Sequence, residues 1–300
     1  MDALEESYGI LMPKGGDRPK DAGLRSLIAS AQVALAAAKY GDSKEPKEKT
    51  RAAIEAEIAE GERNLARLQS AGDRGEAAVD PEAERLAATV TLHALGQLSR
   101  QAGKLRQARD RFQQAAAQSP GFFEAYYALG DLYIEHKGAV AADWAGSAER
   151  MLQEARRLNP ERTEATLKLA QLYVNKVYSR YQAALDLLAP LGPDVRVSKV
   201  RAEALRALRR IPEALVELET ALPLNRNDKD LRTMFVAFAL AMPDLPESAK
   251  WLGKARKILV RALQEENEEG RASLENKLED IDARLARLNA LLGKRPDEEF

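Results

Sequence analysis

The chain of 300 residues contains no cysteine, which excludes disulfides, thiolate catalysis and cysteine-ligated metal. The absence suits an oxidising compartment without requiring one. Aromatic residues make up only 5% of the sequence and no stretch alternates with period two, so essentially no sheet is expected. Histidine occurs twice, at His93 and His136. Neither has a second histidine at helical spacing or a carboxylate pattern of a metal site, so no metal or catalytic residue is assigned. Gly72-Asp73-Arg74-Gly75-Glu76 lacks the lysine and hydroxyl residue of a phosphate loop, and no nucleophile elbow or calcium loop occurs. The chain is read as non-enzymatic and cofactor-free. The longest uncharged apolar run, Ser26 to Ala38, is too short to span a bilayer. The acidic opening Met1-Asp2-Ala3-Leu4-Glu5-Glu6 lacks the basic region of a signal peptide. These readings point to the cytoplasm, or to a periplasmic or exported location with a leader removed. A strong charge of either sign is also missing. The net charge is -1, with 46 basic and 47 acidic side chains intermixed, and nothing favours a nucleic-acid partner.

What the chain does have is alanine, leucine, arginine and glutamate throughout, a helix-forming composition. It also repeats itself. Leu92, Leu95, Gly96, Ala108, Phe112, Ala115 and Pro120 are followed by Tyr126, Leu129, Gly130, Tyr133, Ala148, Leu152, Ala155 and Pro160. Ala108, Phe112 and Ala115 fall at i, i+4 and i+7, one face of a helix. Small residues on facing helices let the backbones approach, the larger side chain fills the space beside them, and proline stops the second helix. Such a hairpin cannot bury its apolar face alone and must stack on copies of itself.

Residue by residue, this pattern resembles the tetratricopeptide repeat (TPR) family. The second unit carries six extra residues between its helices, placed in Lys137 to Trp144. A weaker third unit has Leu169, Ala170, Tyr173, Ala184, Leu188 and Leu191, and a fourth has Ala202, Leu205, Ala214, Leu218 and Ala221, with Arg226 in place of the closing proline. The resemblance implies an all-α, right-handed helical-repeat solenoid with an N-terminal helical hairpin and a C-terminal capping helix. The expected divisions are an irregular arm over 1–18, a hairpin and linker over 19–79, the repeat array over 80–242, a helical pair or cap over 243–293, and a tail over 294–300.

Within the hairpin, Leu24, Leu27, Ile28, Ala31, Leu35 and Ala38 form one stripe, and Ile54, Ile58, Leu65 and Leu68 form a second, spaced to pack against the first. Asp80 before Pro81 reads as a helix cap with proline at the first helical position. Leu231, Met234, Phe235, Phe238 and Leu240, then Trp251, Leu252, Ala255, Leu259 and Leu263, read as a degenerate fifth unit. Leu274, Leu278, Ile281, Leu285, Leu288 and Leu292 form a strict heptad seam. That seam suits a cap over the array's end, or a homo-oligomer interface through 274–292.

Arrays of this family hold an extended or helical peptide on the concave side, lined by the first helix of each pair. The resemblance then places His93, Gln97, Arg100, Tyr127, Asp131, Ile134, Leu167, Gln171, Asn175, Lys199, Glu203 and Arg206 in the groove. Glu124, Asp131 and Glu135 make an acidic patch, amides follow in the third unit, and Arg196, Lys199 and Arg206 supply bases, a gradient able to orient a charged peptide. Family members that clamp the acidic tails of heat-shock chaperones use lysine, asparagine and arginine where this chain has His93, Gln97, Ala128, Glu164 and Lys168, so that subtype is not expected. The leading expectation is an adaptor binding a protein or peptide partner in its groove. The rival is a structural subunit of an assembly, bound through its ends and outer ridges.

Overall fold

A computed structural model describes residues 48–73, 81–225, 227–265 and 268–292. The arm over 1–18, the first helix expected for the hairpin, residues 74–80 of the linker with the Asp80 cap, Arg226 and the tail over 294–300 lie outside them. Among the described residues there are α-helices, one short 3-10 helix and no strand. The chain divides into two compact units, Met1–Ala165 and Thr166–Phe300.

In the first unit α1 spans Glu48–Asp73, α2 Pro81–Gln101, α3 Leu105–Gln118, α4 Phe123–His136 and α5 Trp144–Leu158. The helices α2 and α3 pack as a hairpin, as do α4 and α5, and α3 packs on α4. The notches read from the sequence are where the helices nest. A methyl group built on Gly130 would stand 2.6 Å from Leu152 Cγ, and one on Gly96 would run 2.6 Å from Phe112 Cδ1. Ala108, Phe112, Ala115, Ala148, Leu152 and Ala155 are all fully buried.

The extra residues between α4 and α5 do not disturb this packing. Lys137–Ala139 form the 3-10 turn, and Lys137 itself adopts a positive φ of 41°. Val140 is buried and its carbonyl accepts a bond from Arg109 Nη1 at 3.1 Å. Asp143 then starts α5 by accepting from the Gly146 amide.

The α1 stripe packs on the first repeat, while the helix expected to pair with it in the hairpin lies outside the described residues. Ile54, Ile58 and Leu65 are buried in one cluster with Leu92, Leu95, Leu98 and Ala115. Glu55 pairs with Lys104 and Glu62 with Arg111 across the same contact. Thus α1 covers the first repeat, as the end of a repeat stack requires.

The second unit holds α6, which spans Thr163–Val174 and starts just before the division, then α7 over Tyr181–Leu188, α8 over Val195–Ala207, α9 over Ile211–Ala221, α10 over Lys229–Leu240, α11 over Ser248–Glu265 and α12 over Glu268–Leu292. The pairs α8–α9, α10–α11 and α11–α12 pack against each other in order. Arg201 reaches back, its Nη2 donating to the carbonyls of Leu188 (2.6 Å), at the end of α7, and Leu191 (2.9 Å), just beyond it. Glu217 balances the guanidinium at 3.3 Å.

The heptad seam is used inside the chain. Ile281 and Leu288 are buried, and Leu274, Leu278 and Leu285 pack on the same cluster as Phe235, Trp251, Leu252 and Leu259. Arg284 locks this helix down, donating to Asp244 Oδ1 and to the carbonyls of Leu240 and Met242, each at 2.7 Å. The cap expected for the end of the array is therefore present. Of the seam residues read as a self-association surface, Ile281 and Leu288 are buried and Leu274, Leu278 and Leu285 partly buried within the chain.

Candidate functional site

The predicted groove residues fall on the first helices of the pairs, but many have partners within the chain. Taking the first unit, His93 on α2 is wedged between rings, 5.5 Å from Phe112 and 5.6 Å from Phe122. Burial there lowers its pKa to about 4, with the nearby Glu124 carboxylate acting the other way. It is an uncharged packing group near neutral pH, not a free polar contact on the face.

Arg100 reaches from α2 to α4 and binds both acids of the expected acidic patch. Its Nη2 donates to Asp131 Oδ2 at 3.0 Å and to Glu135 Oε2 at 2.5 Å. Asp131 is buried by this arrangement. Glu124, the third acid, accepts from Arg162 Nη1 at 2.7 Å, and that guanidinium also lies 4.2 Å over the Phe123 ring. Phe123 stacks in turn on Tyr127, 5.8 Å apart and nearly parallel. What this face offers a partner is therefore part-exposed Gln97, Tyr127 and Ile134 around a neutralised ionic cluster. The acidic patch expected from the sequence is paired within the chain, by Arg100 of α2 and by Arg162 just before Thr163.

In the second unit, Leu167 is buried and contributes no surface, whereas Gln171 is exposed. Asn175 ends α6 and uses its Oδ1 to accept from the Val177 amide at 3.1 Å, a turn-forming role. Lys199 on α8 donates to Asp228 at 2.8 Å. Burial pushes the Asp228 carboxyl up, but the Lys199 bond and the Leu231 amide together hold it below the usual range. Asp228 is thereby both the N-cap of α10 and the partner of the lysine. Arg196 similarly folds onto its own N-cap, Asp194, at 2.9 Å.

Glu203 and Arg206 remain exposed. Crowding by the protein raises the Glu203 carboxyl, with Arg206 pulling the other way, and the Arg206 guanidinium lies 5.3 Å from the centre of the Phe238 ring. The sequence reading missed Arg162, Phe238 and Asp228. Asp228 alone had a signal, a capping residue standing just before a helical run.

Among the described residues no group of three or more metal-binding side chains comes together. No described helix is long and apolar enough to cross a membrane.

No protein-family model and no curated protein sequence matches the chain. Solved structures do. A tetratricopeptide repeat protein from Parabacteroides merdae is similar with a TM-score of 0.53 at 15% identity, over 87% of this chain and 91% of that one. A monomeric mutant of human IFIT1, solved with Gppp-AAAA, is similar with a TM-score of 0.51 at 15% identity, over 96% of this chain and 68% of its own length. The likeness is one of fold. Together with the nested Gly96–Phe112 and Gly130–Leu152 hairpins, it defines an all-α, tetratricopeptide-like helical-repeat protein.

Proposed function

We propose that the chain is a non-enzymatic interaction scaffold that holds an extended or helical segment of a partner protein against the first helices of its pairs. The observation that carries this reading is the split on those faces. Asp131 and Lys199 are tied up in ion pairs, while Gln171, Glu203 and Arg206 are exposed and Gln97, Tyr127 and Ile134 partly exposed. A rigid aromatic, two amides, an aliphatic group and a cation over a ring suit a mixed polar and apolar peptide surface. Because the acids are paired, partner charge serves register more than affinity.

The rival reading, an assembly subunit bound by its ends, finds less support. The described part of the helical extension, α1, packs on the first repeat, and the α12 seam packs on the cluster around Phe235. The IFIT1 structure contains Gppp-AAAA. The nearly neutral, intermixed charge of this chain supports a protein partner over a polyphosphate one.

Reversing Asp131 or Lys199 would break internal ion pairs, so the exposed groups make the better test. Tyr127→Ser combined with Arg206→Glu is expected to lower partner recovery from quantitative affinity capture about tenfold or more, with helical content by circular dichroism unchanged. A control, Ala283→Glu on the exposed side of α12, should recover the wild-type partner set. Recovery of the same partners at the same level by the double variant would sink the proposal.

A further inference from the structure

The helix α11 carries a charge pattern that the groove does not use. Along it stand Lys250, Lys254, Arg256, Lys257 and Arg261 against a single acid, Glu265, and that acid is already bonded to Arg232 of α10. Four of these cations fall in one line. Lys250, Lys254, Lys257 and Arg261 follow one another at intervals of four, three and four residues, which places them on one face of the helix. Ala249, Trp251, Leu252, Ala255 and Leu259 are buried on the other side. At a rise of about 1.5 Å per residue the line runs about 16 Å. Its first half is positioned by an aromatic ring, since the Lys250 and Lys254 ammonium groups lie 5.0 and 5.1 Å from the centre of the Trp251 ring.

Within the chain this line is matched only in its middle. Glu219 of α9 pairs with Lys254, and Lys257 has a partner of its own. Lys250 and Arg261, at the two ends, are exposed and make no hydrogen bond or ion pair among the described residues. Each step of the line also sets like charges three or four residues apart, a spacing that destabilises a helix by itself and is relieved by an anion laid along it. Width narrows the anion. Glu219 borders the line on the α9 side, and Asp282 of α12 holds Arg256 at 2.6 Å on the other. A broad anionic surface, such as a bilayer or a duplex, would meet those acids and the exposed Glu275, Glu279 and Asp280 of α12, whereas a single peptide strand would not. We propose that the outer face of α11 is a docking site for a short acidic segment of a partner protein, whose carboxylates lie along Lys250, Lys254, Lys257 and Arg261. About five extended residues cover its length. None of the groove positions lies on α11, so the site stands or fails independently of the helix-face reading.

The test uses the whole chain and a fluorescein-labelled probe, Gly-Glu-Asp-Glu-Asp-Glu-Asp-amide, followed by anisotropy at low salt. Anisotropy should rise saturably, and a probe with glutamine and asparagine in place of the acids should give no rise. Lys250→Glu with Arg261→Glu should weaken binding about tenfold or more. The same pair of changes sets opposite charges four residues from Lys254 and Lys257. Its urea midpoint should therefore stay at or above that of the wild type, which keeps loss of binding distinct from loss of fold. Arg106→Glu with Arg156→Glu, the same change of net charge at exposed positions of α3 and α5, should bind the probe as the wild type does. Equal binding by the wild type and the α11 variant, or equal weakening by both double variants, overturns the proposal. Phosphatidylserine vesicles and a DNA duplex, run in parallel, should not distinguish wild type from the α11 variant. If they do while the peptide does not, the face belongs to a membrane or a nucleic acid and the proposal is overturned. Binding that appears only when serine replaces Asp297, Glu298 and Glu299 overturns it too, assigning the line to the chain's own last acids.

Discussion

Protonating His93 would place a charge between the rings of Phe112 and Phe122, which the site resists down to about pH 4. An unfolded histidine takes up its proton near pH 6.5. Between those values the unfolded chain binds a proton that the folded chain refuses, so stability is full above about pH 6.5 and is lost as pH falls toward 4. At pH 5 this amounts to about 2 kcal/mol. Urea unfolding at pH 7 and pH 5 should show that loss in the wild type and a smaller one in His93→Gln; equal slopes in the two proteins would refute the buried, neutral histidine. Asp228 and Asp194 act in a separate window. Their depressed carboxyl pKa values contribute stability above the unfolded aspartate range, which is withdrawn only as pH drops through it. In Asp194 the dominant cause is the bond from its Arg196 neighbour.

At the scale of elements, two contacts decide whether the helices stay together. Gly96→Ala drives a methyl group into the fully buried Phe112 ring, a rigid target fixed on α3. The expected cost is about 1–3 kcal/mol, read as a lower urea midpoint at unchanged slope. Wild-type stability would show that α2 and α3 can slide apart freely. Arg284→Met removes the side chain that donates to the carbonyls of Leu240, at the end of α10, and of Met242, just beyond it. A loss of about 2–3 kcal/mol is expected, with amide exchange accelerated first in α12.

The helices themselves were legible in the sequence, because each pair is written in a short stretch of chain by small residues opposite large ones. Gly96 with Phe112 and Gly130 with Leu152 are such pairs. The polar partnerships were not. Arg100 finds Asp131, Lys199 finds Asp228 and Arg284 finds Asp244 across separate helices, and periodicity carries no record of which charge meets which.

For the whole molecule, the clusters containing Leu95 and Phe123 lie in Met1–Ala165, and the cluster containing Phe235 lies in Thr166–Phe300. In repeat proteins each repeat contacts its neighbours, and local units can open by themselves. Hydrogen exchange should therefore report Gly96→Ala as lost protection confined to α2–α3 and their neighbours, and Arg284→Met as lost protection confined to α10–α12. Uniform loss over all helices would mean one cooperative block. Finally, the connector after α4 shows that a repeat can be lengthened at its inner turn while Leu152 still meets Gly130. Gly138 and Ala139 are exposed, and Val140 anchors the strand of chain behind them. That makes the Gly138–Ala139 bond a natural splice point, where an epitope or a fluorescent reporter can be grafted while the protein keeps its working form.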